Sequence, residues 1–262
     1  MKTGIFYWFG YNVSMAERFK LIASAGFDNV LLWWGDQFTE TDGLKEEHPD
    51  LARKAGLFVE NIHTDFEHAG DIWLDNSRGD DILQRYLKSA DDCRIFKIPV
   101  MVVHLADGEN QPPCSQTGLD RIKRLVDKAL NCNITIALEN IRKTEYLDFV
   151  FEHIQSPVLK LCYDSGHENC YTKKDDVLDK YGHLLCCLHL HDNDGSCDQH
   201  MIPGEGNINW QKLIEALRKC NFTGSITLEA YNDFPANYKT YPVERFLIKA
   251  HEEAIKLAEQ LI

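Results

Sequence analysis

The sequence predicts a single (β/α)8 barrel, and three observations carry that expectation. Short apolar, β-branched or aromatic runs recur eight times with helical stretches between them, the signature of repeated βα units rather than hairpins. In six of those runs the last inward-facing residue is histidine, aspartate or glutamate. No Pro/Gly/Ser-rich linker or shift of composition divides the chain, so residues 1–262 read as one domain. An open, doubly wound sheet fits the periodicity equally well, but it leaves the strand ends unexplained.

Taken in order, residues 5–9 form the first expected strand, followed by a helix that Ser14 and Glu17 introduce with capping-box spacing ahead of Phe19, Ile22 and Ala23. Strands are expected next at 29–34, 58–63 and 100–105. Thr117 and Asp120 repeat the capping spacing before the following helix, and strands at 135–139, 159–164, 185–191 and 225–230 complete the set. Gly26, Gly56 and Gly182 stand where a helix should give way to a strand, the place where a left-handed residue closes the last turn. The final segment, 243–262, carries Glu244, Arg245, Lys249, Glu252, Glu253 and Lys256 and reads as a surface helix, not a membrane span.

Composition excludes several classes. The chain is 44% hydrophobic and 26% charged, ordinary for a globular domain and unlike disordered or fibrous sequence. Its 28 basic and 41 acidic residues give a net charge of −13, which repels nucleic acid and anionic membranes. The nine cysteines include no C-x-x-C pair, and the opening residues read as strand with no apolar leader, so a reducing cytoplasm is the expected compartment. Cys162, Cys186 and Cys187 read as buried packing.

Strand parity points to the chemistry, because neighbouring side chains alternate between barrel interior and helix layer. In 135–139, Thr135, Ala137 and Glu139 share one face; in 225–230, Ser225, Thr227 and Glu229 do the same. The inward residues at the strand ends are His63, His104, Glu139, Asp164, His189 and Glu229, with His167, Asp198 and His200 in the loops that follow. All nine are metal-ligand types gathered on the face where such barrels build active sites. Imidazole and carboxylate without thiolate suit Zn, Mn, Co or Fe as divalent ions in an open site, and no organic cofactor is called for. Clustered carboxylates also repel one another unless a cation offsets them.

IALEN, YDSGHEN, HLHDND followed by DQHMIPGEGNINW, and ITLEAY, spread over four strands in this order, resemble the xylose isomerase-like TIM barrels. That group comprises sugar and sugar-phosphate isomerases and epimerases, inositol-pathway dehydratases and the endonuclease IV branch. In its epimerase-like members the pattern implies one divalent metal held by Glu139, Asp164, His189 and Glu229, with His167 touching substrate. The expected activity is isomerisation or epimerisation of a small sugar, sugar phosphate or polyol through a metal-stabilised enediolate, with Glu139 and Glu229 moving the carbon-bound proton. Dehydration of a sugar or inosose through the same enediolate is an alternative. In the endonuclease IV branch the equivalents of all nine residues hold three zinc ions, so a phosphodiesterase acting on abasic DNA is the other alternative, and His63, His104, His167, Asp198 and His200 become additional metal or substrate ligands. Against that reading, no arginine or lysine occurs between Lys20 and Lys45, which leaves the loop after the second strand without a phosphate grip. The chain also departs from the ketose 3-epimerase pattern, lacking the arginine that follows the seventh-strand histidine.

Trp8, Trp33, Trp34 and Phe66 near the ends of the first three strands are candidates for a wall that stacks on a sugar, although alternation permits only one of Trp33 and Trp34 to face inward. Arg142 with Lys143, and Lys173 with Lys174, are candidate contacts to a substrate phosphate or carboxylate. The expected partner is a small carbohydrate, with room left for a homo-oligomer. A barrel that binds sugar without turning it over is a third reading, disfavoured because Glu139 and Glu229 are both present.

Overall fold

The computed structural model describes residues 1–173, 175–233 and 236–261. Eight strands form one parallel sheet: β1 Thr3–Phe6, β2 Asn29–Trp34, β3 Phe58–Thr64, β4 Val100–Val103, β5 Thr135–Glu139, β6 Leu159–Asp164, β7 Leu185–His189 and β8 Ile226–Leu228. Neighbours run β7-β6-β5-β4-β3-β2-β1-β8. A bridge between Leu190 and Leu228 brings the two edges together, where Leu190 N–H donates to Thr227 O at 2.9 Å and Glu229 N–H to Leu190 O at 2.9 Å. The sheet is thus a (β/α)8 barrel, closed just beyond the end of β7. The first strand begins two residues earlier than the sequence suggests, because Thr3 and Gly4 pair with β8.

The helices are α1 Met15–Ala25, α2 Thr39–Asp42, α3 His48–Lys54, α4 Ser77–Phe96, α5 Gln116–Cys132, α6 Glu145–His153, α7 Ser165–Tyr171, α8 Val177–Tyr181, α9 Trp210–Lys219 and α10 Val243–Leu261. Their apolar faces pack on the outward side chains of the strands to make the main core, in which Phe19, Ile22, Leu83, Leu125, Leu217, Phe246 and Leu247 are almost wholly buried. Among the described residues no helix is long and apolar enough to cross a membrane.

Local expectations fare unevenly. Gly26 closes α1 at φ 105° and Gly56 precedes β3 at φ 89°, as left-handed residues should. Gly182 has a right-handed φ of −57° and opens a short 3-10 turn, so it terminates α8 without the special conformation. Ser14 occupies the N-cap of α1 but makes no side-chain capping bond. The cap of α5 is Ser115, whose hydroxyl accepts from Gly118 N–H at 3.1 Å; Thr117 lies inside the helix.

The barrel interior is small and separate, formed by Val102, Ala137, Cys162 and Cys187. Two register shifts add a residue to it. Val30 pairs with Val59 and Leu31 with Asn61, so Glu60 is bulged out of β3; Leu161 pairs with Leu185 and Cys162 with Cys187, so Cys186 is bulged out of β7. The Glu60 carboxylate accepts from the Thr227 hydroxyl at 2.5 Å. Burial pushes the Glu60 carboxyl above its usual range, partly opposed by hydrogen bonds from Thr227 and Ser225. The folded chain therefore holds the Glu60 proton to higher pH than the unfolded chain does, and this residue's contribution to stability falls as pH climbs through the folded value. Glu60→Gln should be more stable than the parent at about pH 8, and the gain should shrink at about pH 5. Urea denaturation at both pH values measures this; a variant weakened at the higher pH would contradict it.

Candidate metal centre

The nine sequence-derived candidates converge at the C-terminal mouth. Glu139, at the end of β5, is the hub. Its Oε2 lies 3.1 Å from His63 Nε2 and 3.2 Å from His104 Nε2, and its Oε1 lies 3.3 Å from His189 Nδ1 and 3.6 Å from His167 Nδ1. Glu229 Oε1, just past β8, is 3.6 Å from the same His189 nitrogen. Asp164 ends β6 opposite His189 in register, and its Oδ1 caps α7 by accepting from His167 N–H at 2.6 Å. Ligand atoms of Glu139, Asp164, His189 and Glu229 all lie within 4.8 Å of one another, and so do those of His63, His104 and Glu139.

A second group sits beside the first. Asp198 Oδ2 is 3.3 Å from both His167 Nε2 and His200 Nε2, and its Oδ1 is 3.4 Å from His191 Nε2. His191 also approaches Asp164 Oδ1 at 3.2 Å and stacks on His200 with ring centroids 3.9 Å apart. Sequence reasoning passed over His191, although it shares parity with His189 and the signal was present in HLHD. Gly166 makes room for it: a Cβ there would fall 1.8 Å from His191 Cε1.

These residues fit a bound divalent cation on two grounds. Glu139 Oε1, Asp164 Oδ2, both nitrogens of His189 and of His191, and Asp198 Oδ1 are buried without a hydrogen-bond partner, which would be costly unless something else satisfied them. The spacings recorded above match atoms sharing one ion, since ligands 2.0–2.2 Å from a metal stand about 3 to 3.6 Å from one another. The backbone orients the rings for that role. His63 Nδ1 donates to Thr64 O at 2.9 Å, His167 Nδ1 to Asn140 O at 2.9 Å and His200 Nδ1 to Glu229 O at 2.7 Å, leaving each Nε2 as the free donor atom facing the carboxylates.

The electrostatics agree. Burial opposes charge on His189, yet the carboxylates of Glu139 and Glu229 hold its imidazolium up to about 10. Burial likewise opposes ionisation of Glu139, but His189 and His104 keep it well below the carboxylate range. His200, against its own burial, is held up to about 9 by Asp198. Without a metal, protons on these rings supply the positive charge that the carboxylates demand; a divalent ion held by the same residues would supply it and free the nitrogens as ligand atoms.

The aromatic candidates divide. Trp33 lies parallel to His63 at 5.5 Å and meets Phe66 edge-on at 5.4 Å, while Phe66 stacks on His104 at 4.7 Å. These two rings flank the histidines and stay half-buried. Trp34 points the other way, buried in the helix layer with its Nε1 donating to Asp92 Oδ2 at 2.9 Å, so alternation removes it from the wall. One face of Trp8 is taken by the Arg18 guanidinium at 4.7 Å. Arg142 lies over the Tyr171 ring at 4.2 Å, Lys143 is 3.9 Å from Glu145, and Lys174 falls outside the described residues.

Sequence reasoning also missed Asp192, which builds the loop carrying Asp198 and His200. Fully buried, its carboxylate accepts from Asn193 N–H at 2.9 Å, Gly204 N–H at 2.9 Å, Ile208 N–H at 3.1 Å and Trp210 Nε1 at 2.7 Å. Trp210, the first residue of α9, thus anchors the loop to its helix.

Fold and mouth together define a parallel (β/α)8 barrel with a buried histidine–carboxylate centre. Residues 19–251 match the model of the xylose isomerase-like TIM barrel family, and the chain belongs to that family. An uncharacterised protein of Sinorhizobium fredii is 29% identical over 295 residues, 96% of this chain and 91% of its own. The D-psicose 3-epimerase of Enterocloster bolteae is 28% identical over 120 residues, 42% of this chain and 38% of its own. The fructoselysine 3-epimerase of Escherichia coli O157:H7 is 37% identical over 82 residues, 29% of this chain and 30% of its own. Among solved structures, D-psicose 3-epimerase with D-tagatose from Clostridium cellulolyticum H10 superposes with a TM-score of 0.74 at 16% identity, covering 100% of this chain and 99% of that one. An L-ribulose 3-epimerase superposes with a TM-score of 0.74 at 16% identity, over 99% and 97% of the two chains. At that identity the structural likeness speaks for the fold.

Proposed function

We propose that the protein is a divalent-metal-dependent epimerase or isomerase of a small sugar. The observation that carries this reading is the convergence of Glu139 and Glu229, from β5 and from the end of β8, on one side of His189, with Asp164 completing the set. Glu139, Asp164, His189 and Glu229 would hold the ion, which supplies positive charge to the oxygens of a bound carbonyl and its neighbouring hydroxyl. Two carboxylates reaching the substrate from different strands suit removal of a carbon-bound proton and its return. Delivery to the opposite face inverts the carbon, and return to the adjacent carbon isomerises. His167, fixed through Asn140 O, presents Nε2 to the mouth as a donor or acceptor for a substrate hydroxyl. Trp33 and Phe66 offer an apolar wall to a sugar's C–H face and exclude water from that side. The sugar 3-epimerases among the relatives support the same substrate class.

One observation favours a second reading, a multinuclear phosphodiesterase: all nine residues of that ligand pattern are contiguous here. The rim speaks against it. The cations nearest the β2 loop are neutralised internally, Arg18 by Asp42 at 3.0 Å and Lys45 by Asp36 at 2.5 Å, leaving little to grip a phosphate backbone. The deciding experiment incubates the Mn2+-, Co2+- or Zn2+-loaded protein with ketopentoses, ketohexoses and fructosamines in deuterated water. Deuterium should enter at the carbon next to the carbonyl. No incorporation in any of these sugars, together with cleavage of an abasic oligonucleotide, would replace the proposal with the second reading.

A further inference from the structure

Directly beneath the centre lies a sulfur atom that the mouth chemistry does not use. Cys162 is the register partner of Glu139 on β5 and of Cys187 on β7. It is fully buried against Val102, Ala137 and Cys187 in the barrel interior. Its Sγ, a Glu139 carboxylate oxygen and a His189 ring nitrogen lie within 4.8 Å of one another. The other two corners of that triangle are unsatisfied, since Glu139 Oε1 and both His189 nitrogens are buried without partners. Glu139 and His189 therefore serve two sets of candidate ligands. One set joins them to the oxygens of Asp164 and Glu229, the other to the thiol of Cys162, two residues before Asp164 on β6.

We propose that Glu139, Cys162 and His189 form a second binding position for thiophilic divalent cations, lying below the carboxylate-rich position that hard cations such as Mn2+ take. The choice follows from ligand softness: a thiolate favours Cd2+ or Zn2+, whereas an all-oxygen-and-imidazole set suits Mn2+. Binding in the lower position breaks the S–H bond, forms the sulfur–metal bond and releases the proton to solvent, with no change of oxidation state. Both positions need Glu139 and His189, so only one is filled at a time. A thiophilic ion then draws Glu139 away from substrate and inhibits. This inference rests on the cation-binding mouth proposed above, but not on the reaction performed there.

The test is Cd2+ titration of the full chain, read by near-ultraviolet absorbance, with Mn2+ titration in parallel. The parent protein should develop a sulfur-to-cadmium charge-transfer band that Cys162→Ser lacks and Cys187→Ser keeps. Cys162→Ser should bind Cd2+ at least about tenfold more weakly, the lower end of what losing even an outer-sphere partner costs a bound metal, while its Mn2+ affinity stays within about twofold. Mn2+ binding by Cys162→Ser also shows that the variant is folded. A charge-transfer band that survives in Cys162→Ser, or its absence from the Cd2+-loaded parent while Mn2+ still binds, overturns the lower position and leaves the metal centre standing. Failure of both ions to bind the parent overturns the two together.

Discussion

Glu139→Gln is expected to lose divalent-cation affinity by more than about a hundredfold, beyond the range for disturbing an outer-sphere partner. The amide keeps the shape of the side chain but removes the charge that four histidines approach within 3.6 Å. It also places an N–H2 group where an acceptor is needed. Because Glu139 takes part in three of the candidate ligand groups, no neighbour substitutes for it. Turnover in the deuterium-exchange reaction should fall by about 10²–10⁴, the range associated with losing a positioned acid or base. Calorimetric titration with Mn2+ gives the affinity, and histidine NMR gives an independent check. In the metal-free variant the His189 imidazolium, held up to about 10 in the parent against burial by Glu139 and Glu229, should lose its proton at lower pH. A variant that bound Mn2+ as tightly as the parent would remove Glu139 from the proposed ligand set.

Asp192→Ala should be the most destabilising change in the loop that follows β7. Its carboxylate is the shared acceptor for four donors drawn from residues 193 to 210, and a paired exchange with Met201, at 2.8 Å in each direction, fastens the same segment. Deleting it takes the common acceptor from all four donors, of which Asn193 is buried and Ile208 and Trp210 half-buried, at a cost of about 3–5 kcal/mol. In a chain of this size that is a fall in Tm of roughly 10 °C. The loop carries Asp198 and His200, so the second histidine–aspartate group should loosen as well. Calorimetry and the count of ions bound per chain test both parts. A Tm within a degree or two of the parent would show that the loop is held chiefly by other contacts.

The barrel and most of its mouth were legible because period-two alternation is imposed by the strand itself: once Ala137 faces inward, Glu139 must follow. The same rule applied to β7 places His191 beside His189, but reading only one inward residue per strand hid it. The bulges at Glu60 and Cys186 had no signature, since an extra residue reverses parity without altering composition, and only pairing with the neighbouring strand reveals it. Asp192 was illegible for another reason. Its donors come from as far away as Trp210, and their meeting depends on a loop whose path no local propensity specifies. Ser115 displaced Thr117 as a cap because both carry hydroxyls within two positions, and only backbone dihedrals distinguish a cap from a first-turn residue.

The joint between β7 and β8 has a meaning beyond closing the ring. Leu190 follows the candidate ligand His189, and Glu229, itself a candidate ligand, supplies one of the amides that stitch the circle shut. A cation held by His189 and Glu229 would accordingly act as a rivet across the seam, so that loading the proposed centre and keeping the cylinder round would become one event.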